Sequence, residues 1–115
     1  MKEFDIIAFI SEILAPLNVP VVEGWFDKIL NITHITVHEF LDEDNGFEDD
    51  LNSEIIHNIQ IDIWSMDSLK AFNLKNKVKT ILKKNDFIYD SGQDFYETKK
   101  RLYHKGMRFI YTEFV

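Results

Sequence analysis

The chain has 115 residues, no cysteine, 45% hydrophobic side chains, 14% aromatic ones and a net charge of −7. That makeup fits one packed domain of the common size and excludes a disordered chain, a disulfide scaffold or a thiolate site. No run approaches the roughly 20 apolar residues of a membrane span, and Met1-Lys2-Glu3 with Asp5 is a poor signal-peptide start, so a soluble cytoplasmic protein is expected.

Phe4, Ile7, Ile10, Leu14 and Leu17 recur at helical spacing, predicting an amphipathic helix over about 3–15 that stops near Pro16. Pro20-Val21-Val22-Glu23 reads as a short edge strand, because proline cannot donate to a ladder. His34 to Phe40 is β-branched and reads as a strand, and the acidic tract from Asp42 to Ser53 reads as a loop. Ile55 to Trp64 alternates, with Ile55, His57, Ile59, Ile61 and Ile63 on one face and Asn58, Gln60 and Asp62 on the other. That pattern is a half-buried strand.

Ser65 and Asp67 are both candidate N-caps for a helix over 67–84. Its apolar stripe is Ala71, Leu74, Val78, Ile81 and Leu82, widened by Leu69 and Phe72. Six lysines cover the remainder, and Lys83 and Lys84 suit the negative end of the helix dipole. Asn85 is a candidate left-handed cap. Phe87-Ile88-Tyr89, a turn at Ser91-Gly92 and Phe95-Tyr96 suggest a hairpin, and Leu102–Phe114 a long final strand. The expected fold is a single α+β domain over 1–115, in the order α-β-β-β-α-β-β, with two helices on an antiparallel sheet.

Charge is segregated along the chain. Residues 1–66 hold fourteen acids and two bases, a net −12, whereas residues 67–115 hold six acids and eleven bases, a net +5. Such a chain can neutralise itself within one fold, or it can set the acidic patch of one copy against the basic patch of the next.

Each candidate for chemistry breaks down on its spacing. His34 and His38 lie four apart, but on a strand they stand about 13 Å apart, too far for one ion with ligand bonds of about 2 Å. The acidic tract fails the calcium-loop pattern in both registers, since position six or position twelve carries the wrong residue. The element order is also that of PD-(D/E)xK nucleases. However, Asp62-Ile63-Trp64 has Trp where lysine must stand, and Glu97-Thr98-Lys99 falls after the second helix. There is no glycine-rich phosphate loop, and a chain of net −7 lacks the basic field that drives phosphate binding. No catalytic, metal or cofactor set is expected, and so no enzyme. Trp25-Phe26, following Gly24, reads either as an interface anchor or as a lid on the core. Tyr103, Met107, Phe109 and Tyr111 share one face of the last strand as packing residues.

Two motifs in the second half carry a resemblance. Gln60-x-Asp62-x-Trp64-Ser65 precedes the Lys-rich helix, and Asp94-x-Tyr96-Glu97 and Tyr103-His104-Lys105-x-x-Arg108-Phe109-x-Tyr111 follow it. With Val19-Pro20-Val21 and Thr36 to Phe40, this pattern resembles the tail-completion (tail-terminator, tail-to-head joining) proteins of phages and prophages. The tract Asp42–Ser53 is more acidic than that family leads one to expect. The resemblance implies a structural virion subunit that forms a ring, usually a hexamer, on the head-proximal end of the tail tube. Its partners would be further copies, the tail-tube protein and the head connector. DNA would pass through without sequence-specific binding, and no membrane would be involved. Assembly would occur in the host cytoplasm, and the final location would be the virion tail. Interface candidates are Trp25, Phe26, Asp44, Glu48, Asp49, Asp50, Lys99, Lys100 and Arg101. The alternatives are a small soluble adaptor outside any virion and a metal-dependent hydrolase using the acidic tract.

Overall fold

The computed structural model describes residues 3–24, 32–44 and 53–115. Helix α1 spans Ile6–Leu14, and the Asp5 carboxylate caps it by accepting the Ala8 N–H at 3.0 Å. It hands over to a 3-10 turn, Ala15–Leu17, where Pro16 fits because first-turn N–H groups have no helical partner. Strands β1 (Val21–Glu23), β2 (His34–Asp44) and β3 (Glu54–Ser65) follow. Helix α2 (Ser68–Lys84) comes next, then strands β4 (Ile88–Glu97) and β5 (Leu102–Phe114).

The class is α+β, but the sheet is mixed and not wholly antiparallel. Its order is β1-β2-β3-β5-β4. Strand β1 runs parallel to β2, although the two follow one another in the sequence, where a hairpin would have made them antiparallel. Pro20 sits at the sheet's edge as its chemistry demands, and its carbonyl accepts the Ile35 N–H at 2.8 Å.

Both helices cover one face of the sheet. Ile10, Leu14, Ile59, Ile61, Val78 and Phe109 are fully buried between the layers. At roughly 1.5–3 kcal/mol per large apolar side chain, this layer is the main source of stability. An aromatic group closes one end of it, with Phe87 4.7 Å and Phe9 5.9 Å from Tyr111. Met107 is buried, and Tyr103 and Tyr111 pack against the core, as expected of that strand face.

Several sequence expectations are corrected. Strand β2 runs on through Asp42, Glu43 and Asp44, because β3 supplies ladder partners as far as Asp44↔Ile55 after a bulge between Glu39 and Leu41. Pairing overrides the poor strand propensity of the acids there. Residues Ile88–Glu97 form one strand, with no hairpin. A register shift between Tyr89 and Ser91 absorbs the irregularity, and Gly92 is there for space. A Cβ on it would lie 2.0 Å from the Tyr89 hydroxyl. Leu69 and Phe72 face solvent and do not widen the buried stripe of α2. Asp67 is the N-cap, accepting from Leu69 and Lys70. After α2 it is Asp86, not Asn85, that adopts the left-handed conformation, with φ 71°.

The molecule is long, 53 × 24 × 24 Å, and a charged cluster stands at each end. Asp42, Glu43, Asp44 and Glu54 gather where β2 ends and β3 begins. Lys99, Lys100 and Arg101 occupy the β4–β5 turn at the opposite end, beyond the Ser65↔Tyr103 pair. The twelve residues of β3 separate the two ends by about 40 Å.

Candidate functional site

Alternate residues of the second-half motifs meet on the sheet face that no described helix covers. Register brings Gln60 opposite Arg108, Asp62 opposite Gly106 and Trp64 opposite His104. On the next pair of strands, Phe95 stands opposite His104 on this face, whereas Asp94 opposite Lys105 and Tyr96 opposite Tyr103 lie on the helix-bearing face, where Asp94 also pairs with Lys75 of α2. Residues some forty positions apart in sequence are therefore direct cross-strand neighbours, the unit of sheet stabilisation.

Asp62 is the hub. It is 2% exposed, and its Oδ1 accepts from Gln60 Nε2 at 2.9 Å and from His104 Nε2 at 2.6 Å. Gln60 Oε1 in turn accepts from Arg108 Nε at 2.9 Å. The guanidinium lies 4.4 Å from the centre of the Phe40 ring, a cation–π contact. Gly106 leaves room for this chain of bonds, because a Cβ there would lie 3.1 Å from Asp62 Oδ1 and 3.2 Å from Gln60 Nε2.

Beside the network stands a stack of rings. The imidazole of His104 lies 3.9 Å from the Trp64 ring at 13° and 5.0 Å from Phe95. His34 stacks more distantly on Trp64 at 6.3 Å. Trp64 Nε1 donates to Thr36 Oγ1 at 3.0 Å, so the polar edge of the indole is satisfied as it is buried. The sequence places Trp64 at a strand-to-helix junction, and the structure sets it on the helix-free face. His34 and His38 are both buried in this face. Burial, the largest influence, pushes the His38 imidazole below the ordinary histidine range, against the opposing pull of Asp62 and the Gly24 backbone.

Between β3, β5 and β4 the face forms an open trough of about 670 Å³, walled by Trp64, Phe95, His104 and Arg108. Its polar groups are largely committed to one another, which suits a stiff, shaped surface more than a reacting centre. Among the described residues, no group of three or more His, Cys, Asp or Glu is arranged to hold a metal ion. None of their helices is long and apolar enough to cross a membrane.

The interface candidates do not converge here. Asp44 lies exposed at the acidic end, and Lys99, Lys100 and Arg101 are exposed at the other. Trp25, Phe26, Glu48, Asp49 and Asp50 lie outside the described residues. Sequence reasoning saw Gln60, Asp62, Trp64, His104 and Arg108 as separate letters of two motifs. It missed His57, which bridges Glu39 and Glu113, because a lone histidine on an apolar strand face carries no spacing signal.

No protein-family model matches the chain, and no curated protein matches it. Among solved structures it is similar to a chain of the virion of a native gene transfer agent particle. The TM-score is 0.69 at 10% identity, covering 95% of this chain and 92% of that one. At that identity the likeness is one of fold.

Proposed function

We propose that the chain is a structural subunit of a phage-like particle, a tail-completion protein that caps the head-proximal end of the tail tube and joins it to the head connector. The observation that carries this reading is the fold shared with a virion chain over nearly the full length of both. The motifs that resemble the tail-completion family support it from the side of sequence. Four of their residues, Gln60, Asp62, His104 and Arg108, form a cross-strand network that shapes the helix-free face.

In this reading, six copies close into a ring around the DNA path. A closed ring of identical contacts needs two different, complementary surfaces on each subunit. The acidic end, with Asp44, and the basic turn of Lys99, Lys100 and Arg101 supply one such pair. Carboxylates of Glu48, Asp49 and Asp50 turned to the lumen would repel passing phosphate, where lysines would hold it.

Native mass spectrometry across concentration, with and without tail tubes, tests the reading. The wild type forms six-copy rings on tubes, and Lys99→Glu with Lys100→Glu weakens them. Asp49→Asn with Asp50→Asn leaves the ring intact and lets it retain DNA. Monomers alone on tubes that the protein caps exclude the ring, and a stable dimer indifferent to tubes points to the adaptor.

A further inference from the structure

The acidic end of the molecule is built around one histidine. His57 leaves β3 on the helix-bearing face, and both of its ring nitrogens meet a carboxylate. Nδ1 meets Glu39 of β2, and Nε2 lies 2.8 Å from Glu113 of β5. The imidazole is 7% exposed, and the two carboxylate side chains 25% and 22%. Asp42 of β2 and Tyr111 of β5 are its register partners on either side. Phe4, ahead of α1, sets its ring across the imidazole at 6.1 Å and 69°. The groups facing His57 are thus three carboxylates, a phenol and a phenyl ring.

Counting hydrogens fixes the state of this cluster. A neutral imidazole has one N–H, and its other nitrogen presents a lone pair. A lone pair set against a carboxylate oxygen is repulsive, so two carboxylate contacts require two hydrogens. The cluster therefore holds one proton more than a neutral histidine between two carboxylates. The electrostatics agree. Burial, the largest single influence, pushes the imidazole down, but the hydrogen bonds to Glu113 and Glu39 and their charges together outweigh it and hold His57 above its ordinary value.

We propose that His57 is a proton-held brace: as imidazolium it ties β2, β3 and β5 together at the acidic end, and loss of its proton frees one carboxylate and opens that end. On release, Glu39 or Glu113 joins Asp42, Glu43, Asp44 and Glu54 in the charge that the end presents. The brace lies within one copy and operates whether or not copies form rings.

The sign follows from linkage. The folded value lies above the unfolded one, so the brace is at full strength below about pH 6.5. It is lost as the pH rises through His57's folded value. The effect is local, because the core near Ile61 and Met107 is held by burial and not by this proton.

The test is histidine NMR titration with amide hydrogen exchange over about pH 5.5–9, on the wild type, Glu39→Gln, Glu113→Gln and His57→Gln. In the wild type, His57 titrates above about 6.5, and each glutamate substitution brings it back toward that value. Protection of amides in 41–44, 55–57 and 111–113, corrected for intrinsic rate, falls about tenfold per pH unit between about 6.5 and His57's own value. Amides of Ile61, Ile63 and Met107 keep their protection. His57→Gln removes the pH dependence; if that variant fails to fold, the two glutamate variants carry the test. His57 titrating at or below the ordinary value overturns the proposal, as does an unchanged slope in folded His57→Gln.

Discussion

Replacing Trp64 with alanine probes the helix-free face at its most loaded point. The indole is 8% exposed, and a tryptophan buries some 150–250 Å², worth about 4–6 kcal/mol as an upper bound at 25 cal/mol per Å². The trough beside it is open, so water fills the vacated space and no empty cavity adds its own term. Thr36, 1% exposed, loses the donor that bonds its hydroxyl, which costs about 1 kcal/mol more. The expected loss is about 3–5 kcal/mol, within the range for buried large-to-small changes. For a domain of this size that lowers the melting temperature on the order of 12–20 °C. Urea unfolding followed by far-UV circular dichroism measures it without relying on the fluorophore being removed. Trp64→Phe keeps the stack on His104 but gives up the N–H, and it should cost about 1–2 kcal/mol. A loss under about 1 kcal/mol for Trp64→Ala would refute the reasoning, since the ring would then contribute little to the subunit's own fold.

Three further outcomes are expected. Asp62→Ala strands the donors of Gln60 and His104, and chemical denaturation should show a loss of about 2–4 kcal/mol. Gly92→Ala drives a methyl into the Tyr89 phenol and should cost about 1–3 kcal/mol in the same assay, as overpacking does; Gly92→Ala together with Tyr89→Ala should then cost less than the sum of the two. Asp94 is held below the usual carboxylate range, chiefly by its hydrogen bond from Lys105. Its contribution is therefore present above its unfolded value and lost as the pH falls through the folded one. Because that carboxylate is more than half exposed, Asp94→Asn should change stability by less than about 1 kcal/mol at neutral pH.

Much of the fold was legible because burial writes a period into the sequence. The alternation of Ile59, Ile61 and Ile63, and the spacing of Ala71, Leu74, Val78 and Leu82, are direct consequences of one covered face. What escaped depends on partners that the local sequence does not name. Asp42 to Asp44 extend because β3 lies alongside, β1 runs parallel to its neighbour in sequence, and Gly92 is small because of a tyrosine three residues earlier. The helix-free face was half legible. Its residues stood out as motifs, but only register shows that Asp62, Gln60, His104 and Arg108 form one bonded network. The −12/+5 division suggested patches without giving them places, and the register sets Asp42 to Asp44 and Lys99 to Arg101 at opposite ends of the sheet.

Electron microscopy of tail tubes assembled with and without this chain measures whether it completes a tail. With the chain present, tubes should end at one length, with six-fold density at the head-proximal end. Without it they should overgrow and fail to join heads. Tubes of the same length and joining in both cases, with no density from this chain at that end, would contradict the tail-completion role.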